Sequence, residues 1–527
     1  AKLGVDGGVI TKADAGVATV PAGGAAFLAA HVNELRKSQP NTIVVSAGDM
    51  TGASPLLSSI FRDEPTILAM NALGLDFNGV GNHEFDRGSE ELLRLQKGGC
   101  SLGDCDAGTF AGAKFAYLAA NVVDTKANAT IFPPYAVKTF GAAKVGIIGL
   151  TLEGTPSVTV EKAVAGLKFA DEVKTVNALV PKLKSEGVSA IVVLVHQGGF
   201  QGPTGTYDSC ADFTGDLVSI LDGESASGTP ALDPAVDVVV SAHTHQPYNC
   251  LRKGRLVTSA ASFGRVVTQI DLAIDPTQQV VTKKSARNVV VTRDVAADPS
   301  VSSVIATFQS KAAPLANRVV GHVTGDITGS AITAASTSCE TPLGDVIADA
   351  QLGATKSAGN GNAVIAFMNP GGIRTDLVHA ASGTEGAGVV TYAEAFAVQP
   401  FANNLVTLTL TGAQIKTLLE QQFLPSKPRI LQVSAGFEYT YDYDGAAKKG
   451  TVSAIKLGGA PIEPASTYRV TVNSFLADGG DGFSVLKAGT DRLSGIPDLD
   501  ALVTHLEAHD PIAPPALTRI NGNGCTN

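Results

Sequence analysis

The chain has 527 residues, more than one hydrophobic core comfortably serves, so two domains of roughly 200 to 300 residues each are expected. Charged residues make up 17% and apolar ones 44%, which permits large cores, and the net charge of −10 excludes a general affinity for nucleic-acid polymers or anionic membranes. No apolar run approaches the ~18 residues of a membrane span, and the residues from Ala1 onward lack the basic and apolar regions of a signal peptide.

The segment from Gly23 through Arg36 has the spacing of an amphipathic helix, with Phe27, Ala30 and Leu35 on its apolar side and His31 at its surface. Four short apolar runs follow: Ile43 to Val45, Val145 to Leu150, Ala190 to Val195 and Val236 to Val240. They are too continuous for half-exposed strands and predict strands buried on both faces, separated by helices such as Glu172 to Lys184. That pattern describes a layered α/β domain over residues 1–295. Strand-like segments Arg255 to Ser259 and Val266 to Ala273 complete it, and Asp298-Pro299 opens a helix with Val301, Val304, Ile305 and Phe308 at helical spacing. We read 296–318 as the connecting helix and 319–527 as a second α/β domain. Its expected helices lie near Leu343 to Ala354 and Gly412 to Phe423, its strands at Ala363 to Met368, Leu405 to Leu410 and Tyr468 to Val472.

Three of the early runs end in side chains that bind metals. One leads into Asp49, one into His196 and one into His243-Thr-His245. In α/β sheets ligands gather outside the carboxyl ends of strands, so the coincidence carries weight. Between them lies Gly79-Val-Gly-Asn-His-Glu-Phe-Asp-Arg-Gly88, where Gly81 and Gly88 permit backbone conformations closed to other residues and hold Asn82, His83 and Asp86 on a turn. An isolated Asn-His-Glu is most often a self-capped turn; the neighbouring donors shift that reading toward a catalytic loop. Asp49, Asn82, His196, His243 and His245 are donors of the sort that hold Zn, Mn or similar divalent ions. A carboxylate can bridge two such ions, and paired ions suit phosphoryl transfer. His83, with Asp86 three residues on, is placed to donate a proton to a leaving oxygen. The second domain offers two glycine-rich turns, with Arg374 as a fork for phosphate and Phe483 as a stacking face for a base. Its His322, His379, His505 and His509 are scattered and receive no role.

The six cysteines lack metal-ligand spacing and favour disulfides, hence an oxidising compartment. Nearness and domain membership pair Cys100 with Cys105, Cys210 with Cys250 and Cys339 with Cys525. The sequon Asn128-Ala-Thr130 is set aside.

In these motifs the chain resembles the 5′-nucleotidase family of two-domain metallophosphoesterases over nearly its whole length. The matching segments are Gly48-Asp49, Gly81-Asn-His-Glu-Phe-Asp86, His196-Gln-Gly-Gly199, His243-Thr-His-Gln-Pro247, Asn369-Pro-Gly-Gly-Ile-Arg374 and Gly479-Gly-Asp-Gly-Phe483. The resemblance implies an N-terminal α/β/β/α metallophosphoesterase domain, a helix about which the domains rotate, and a C-terminal α/β nucleotide-binding domain. By motif match Asp49 bridges two divalent ions, with Asn82, His196 and His243 on one and His245 on the other. His83 and Asp86 match the catalytic pair, and Asn369, Gly372, Arg374 and Phe483 match the substrate pocket.

Two departures stand out. The family begins with a strand ending in Asp-x-His, which supplies two ligands to the first ion, and no such tripeptide precedes Asp49. The expectation is that the sequence starts downstream of that strand and leaves the first site incomplete; a natural single-metal variant is the lesser reading. Ile430 also stands where the family has an aromatic of its base-stacking pair, which leaves the base preference open. The function expected is hydrolysis of nucleoside 5′-phosphates in the periplasm, outside the cell or at its surface, extending to di- and triphosphates or UDP-sugars. A 2′,3′-cyclic-nucleotide phosphodiesterase, or a nucleotide-binding surface protein without turnover, is the alternative.

Overall fold

The computed structural model describes residues 9–10, 20–100, 110–159, 161–223, 230–329, 338–382, 385–401, 403–423, 428–447 and 449–523. The chain divides into two compact units, Ala1–Lys311 and Ala312–Asn527.

In the first unit the valine- and isoleucine-rich runs form the sheet that carries everything else. Strands β1 (Val45–Ser46), β2 (Phe77–Gly79) and β3 (Ala116–Leu118) make a small parallel sheet. A larger six-stranded sheet contains β4 (Tyr135–Phe140), β5 (Ala143–Leu150), β6 (Ala190–Val195), β7 (Val238–Ser241), β8 (Pro247–Arg252) and β9 (Arg255–Ala260), in the order β8-β9-β7-β6-β5-β4. Its four central strands are parallel, with Val192 opposite both Ile147 and Val238, and β4 and β8 pair antiparallel at its edges. One face packs against helices α4 (Glu172–Ser185) and α5 (Asp216–Asp222) through Ile148, Val176, Val180, Val193 and Leu217. The other packs against the small sheet and a long ribbon of β10 (Val266–Asp275) and β11 (Val280–Val290) through Ala47, Leu118, Ile147, Leu194 and Leu272. Burial on both faces explains why these strands read as continuous apolar runs.

Among the described residues β1 pairs only with β2, and β10 only with β11, so each keeps one edge without a partner strand. Between them lies a cavity of about 410 Å³, lined by Ile43, Val45, Ile147, Val192, Val240 and Ile270 among others. Helix α1 (Ala25–Ser38) packs beside β10, and α2 (Glu64–Leu73) and α3 (Ser89–Lys97) flank the turns that follow β1 and β2. Helix α6 (Pro299–Ala316) runs across the division between the units.

The second unit combines a five-stranded and a four-stranded sheet. The first contains β12 (Ile365–Met368), β13 (Asn404–Thr411), β14 (Gln432–Val433), β18 (Thr467–Asn473) and β19 (Thr490–Pro497), in the order β14-β12-β18-β13-β19. The second contains β15 (Phe437–Asp444), β16 (Lys449–Leu457), β17 (Ala460–Pro461) and β20 (Ile520–Gly522). Helices α7 (Pro342–Thr355), α8 (Gly412–Gln421) and α9 (Asp498–Ala508) cover them. Thr411 and Gln414 close a capping box at the start of α8. Among the described residues no helix is long and apolar enough to cross a membrane.

Cys210 and Cys250 form a disulfide, as their placement in the sequence suggested. Cys105 and Cys525 lie outside the described residues, and with them the pairings Cys100–Cys105 and Cys339–Cys525.

Candidate metal centre and substrate turns

Three strands of the first unit deliver their last side chains to one place. Asp49 follows β1, His196 follows β6 and His243 follows β7, and one ligand atom from each lies within 4.8 Å of the others. Asp49, His243 and His245 all take left-handed backbone, with φ of 55°, 70° and 58°. Such conformations cost non-glycine residues free energy and cluster where side chains are aimed for function. The two glycines beside them leave no room for a side chain: a Cβ on Gly81 would collide with the Asp49 carboxylate, and one on Gly52 with the carbonyl of His83.

The buried His196 ring is oriented by its Nδ1, which donates to the Ala47 carbonyl at 2.7 Å. That bond fixes the tautomer and turns Nε2 toward Asp49 Oδ2, 2.9 Å away. Buried beside that carboxylate, Nε2 carries a proton toward Asp49 or, deprotonated, a lone pair that a cation could receive. His243 Nδ1 lies 3.0 Å from Asn82 Oδ1, which joins the buried Asn82 to the same cluster. The donor set of carboxylate, amide oxygen and imidazoles suits a borderline divalent ion. His245, exposed and edge-on to Phe263, stands outside the group of three.

Charge at the site follows from these contacts. Burial works against the Asp49 carboxylate, but His196, His83 and His243 outweigh it and hold its pKa well below the usual range. Burial and the neighbouring His196 push His243 down to about 4, so it is a neutral donor at neutral pH. Burial also opposes a charge on His196, yet Asp49 overrides it and raises the pKa. A cation held in the group would take the place of that proton, as metal binding generally does.

Beside the group, His83 Nδ1 lies 2.9 Å from Asp86 Oδ2, and its backbone N–H donates to Asp49 Oδ1 at 2.9 Å. Asp86 also accepts from the Ala53 N–H at 3.0 Å. Asp86 thus holds the imidazole of His83 beside the donor group.

In the second unit the two glycine-rich turns meet. Asn369, just after β12, is buried and accepts from Asn473 Nδ2 at 3.0 Å while donating to Asp481 Oδ2 at 2.8 Å. Arg429, which sequence reasoning passed over, donates to the Asp481 carbonyl at 3.0 Å and pairs with its carboxylate at 3.2 Å. A Cβ on Gly372 would press on the end of the Met368 side chain and on the Asn369 amide oxygen. Arg374 sits half-buried with its guanidinium carbon 5.5 Å from the centroid of the Phe401 ring, another residue the sequence did not single out. Phe483 differs from expectation: its ring is fully buried in the core with Leu476, Leu486 and Phe437 and offers no exposed face.

Residues 319–488 match the family model described as 5′-nucleotidase, C-terminal domain. The 5′-nucleotidase precursor of Thermus thermophilus superposes with a TM-score of 0.76 at 26% identity, covering 96% of this chain and 94% of that one. This chain is a relative of the two-domain 5′-nucleotidases. Its first unit has their metallophosphoesterase layering, and its second contains their C-terminal domain. Two further relatives are the Endonuclease YhcR of Bacillus subtilis, 32% identical over 92% of this chain, and the Cell wall protein Lmo0130 of Listeria monocytogenes, 30% identical over 95%. The chain spans 37% and 65% of the length of these two proteins.

Sequence reasoning in this 5′-nucleotidase relative also passed over Glu84. It stands inside the Asn-His-Glu-Phe-Asp motif, and its carboxylate accepts from the backbone N–H groups of Asp49, Met50 and Gly81 in two turns. Burial and then the charge of Asp49 push its pKa up to about 7, against the pull of His196 and of the backbone donors. Its place in the motif was the available signal.

Proposed function

We propose that the chain is a metal-dependent phosphohydrolase that removes phosphate from nucleoside 5′-phosphates outside the cytoplasm. The carrying observation is the His83–Asp86 pair set directly beside the Asp49, His196 and His243 group. Divalent ions held there supply charge neutralisation for the phosphoryl group and a nucleophile from water. Asp49, Asn82, His196, His243 and His245 are the residues to hold two of them, with Asp49 shared. His83, oriented through Nδ1 by Asp86, presents its other ring nitrogen to protonate the leaving ribose oxygen. Arg374 supplies a charged fork for the nucleotide, on the turn that Asn369 and Gly372 shape.

Of these residues, Asp49 and His245 would serve the first ion. The Cys210–Cys250 disulfide and the cell-wall relative support an exported protein.

Phosphate release from AMP and ring opening of 2′,3′-cyclic AMP to the nucleoside monophosphate, followed by chromatography and measured with plasma mass spectrometry of bound metal, test the reading. AMP turnover with two ions per chain is expected. Turnover of the cyclic substrate alone would favour the phosphodiesterase reading, to which the likeness to an endonuclease lends support. In Arg374→Ala, nucleotide binding should weaken while bound metal stays constant; loss of metal would contradict the division of labour between the units.

A further inference from the structure

We propose that Glu84 is the positioning residue of the metal centre, an internal carboxylate that locks two ligand-bearing turns to one another. The inference rests on the reading of the Asp49 group as a metal site. Glu84 is 3% exposed, and its Oε2 accepts from the backbone N–H of Asp49 at 2.8 Å and of Gly81 at 2.7 Å. Its Oε1 accepts from the N–H of Met50 at 2.8 Å and, more weakly, from Asn78 Nδ2 at 3.5 Å. Asn78 in turn accepts from the Gly48 N–H at 3.3 Å.

Two of these N–H groups belong to the turn after β1, which carries Asp49. One belongs to the turn after β2, which carries Asn82 and His83. A single carboxylate therefore sets the separation between the bridging carboxylate on one turn and the amide ligand and acid on the other. Three backbone N–H donors from two turns converge on the two oxygens of this one buried side chain, and an amide of the same length has a single acceptor oxygen and cannot serve them all. Glu84 itself touches neither substrate nor ion; it acts through the residues it places. Residues of this kind commonly govern metal affinity by 10- to 100-fold.

The test is titration of the metal-stripped full chain with Mn²⁺, read by the loss of the free-ion electron paramagnetic resonance signal, for wild type, Glu84→Gln and Asn78→Ala. Glu84→Gln keeps the shape but turns one acceptor into a donor facing N–H groups. It should weaken Mn²⁺ binding about 10- to 100-fold while the unloaded protein retains a cooperative thermal transition. Asn78→Ala, which removes one prop and leaves the carboxylate, should weaken it several-fold, and serves in place of Glu84→Gln if that variant fails to fold. Wild-type affinity in the folded variants overturns the proposal. Absence of Mn²⁺ binding in the wild type itself overturns the reading of the site.

Discussion

At the scale of single residues, His83 is the side chain whose removal separates chemistry from binding. Its ring is held by Asp86 while the donor group is built from other residues, so His83→Ala should lower turnover about 100-fold or more and leave nucleotide affinity nearly unchanged. Steady-state kinetics with a direct binding measurement checks this; a change mainly in affinity would make His83 a binding residue. Asp49, His196 and His243 were legible as a group because each follows an apolar strand, where a polar side chain is conspicuous. Glu84 was not, since a carboxylate that satisfies backbone N–H groups looks in sequence like any other acidic turn residue. Phe483 was misread for a related reason: a ring after a glycine turn can face a ligand or the core, and only packing decides.

Among elements, that decision has a measurable consequence. Phe483 is fully buried in the core of the second unit, so Phe483→Ala should cost about 3–5 kcal/mol of stability. Urea unfolding of the variant against wild type measures it, and a loss below about 1 kcal/mol would return the ring to a surface role. Helix α9 begins at Asp498, whose carboxyl burial pushes up to about 7. A carboxyl raised in the fold binds more protons there than in the unfolded chain between pH ~4 and ~7, so stability falls as pH rises through that window. The melting temperature should drop between pH ~4 and ~7, and Asp498→Asn, which cannot ionise, should shrink that drop. A pH profile unchanged by the substitution would remove Asp498 as a cause.

The buried strands β5, β6 and β9 and helices α4, α7 and α8 were legible to within about two residues, because continuous apolar runs and capped amphipathic repeats each have one structural solution. Strands β2, β3 and β15 were not recognised. Two of them are only three residues long, and Phe437–Asp444 alternates aromatic with polar residues, a pattern with no apolar run to mark it.

For the molecule as a whole, the Cys210–Cys250 disulfide closes a 40-residue separation across the edge of the large sheet. Loop-closure entropy puts its contribution near ~4 kcal/mol. A Cys210→Ser, Cys250→Ser double variant should therefore unfold at markedly lower denaturant concentration, and an unchanged midpoint would show that the surrounding packing suffices. The free edges of β1 and β10 bear on how the protein behaves in company. Among the described residues neither edge has a partner strand, and between them runs a channel lined with valine and isoleucine. Unpaired edges of this kind recruit strands from other molecules. The net charge of −10 opposes such encounters at low ionic strength but is screened by salt. The chain should thus self-associate as concentration and salt rise, seen in sedimentation as growing mass, and a single species at every concentration would show that both edges are covered.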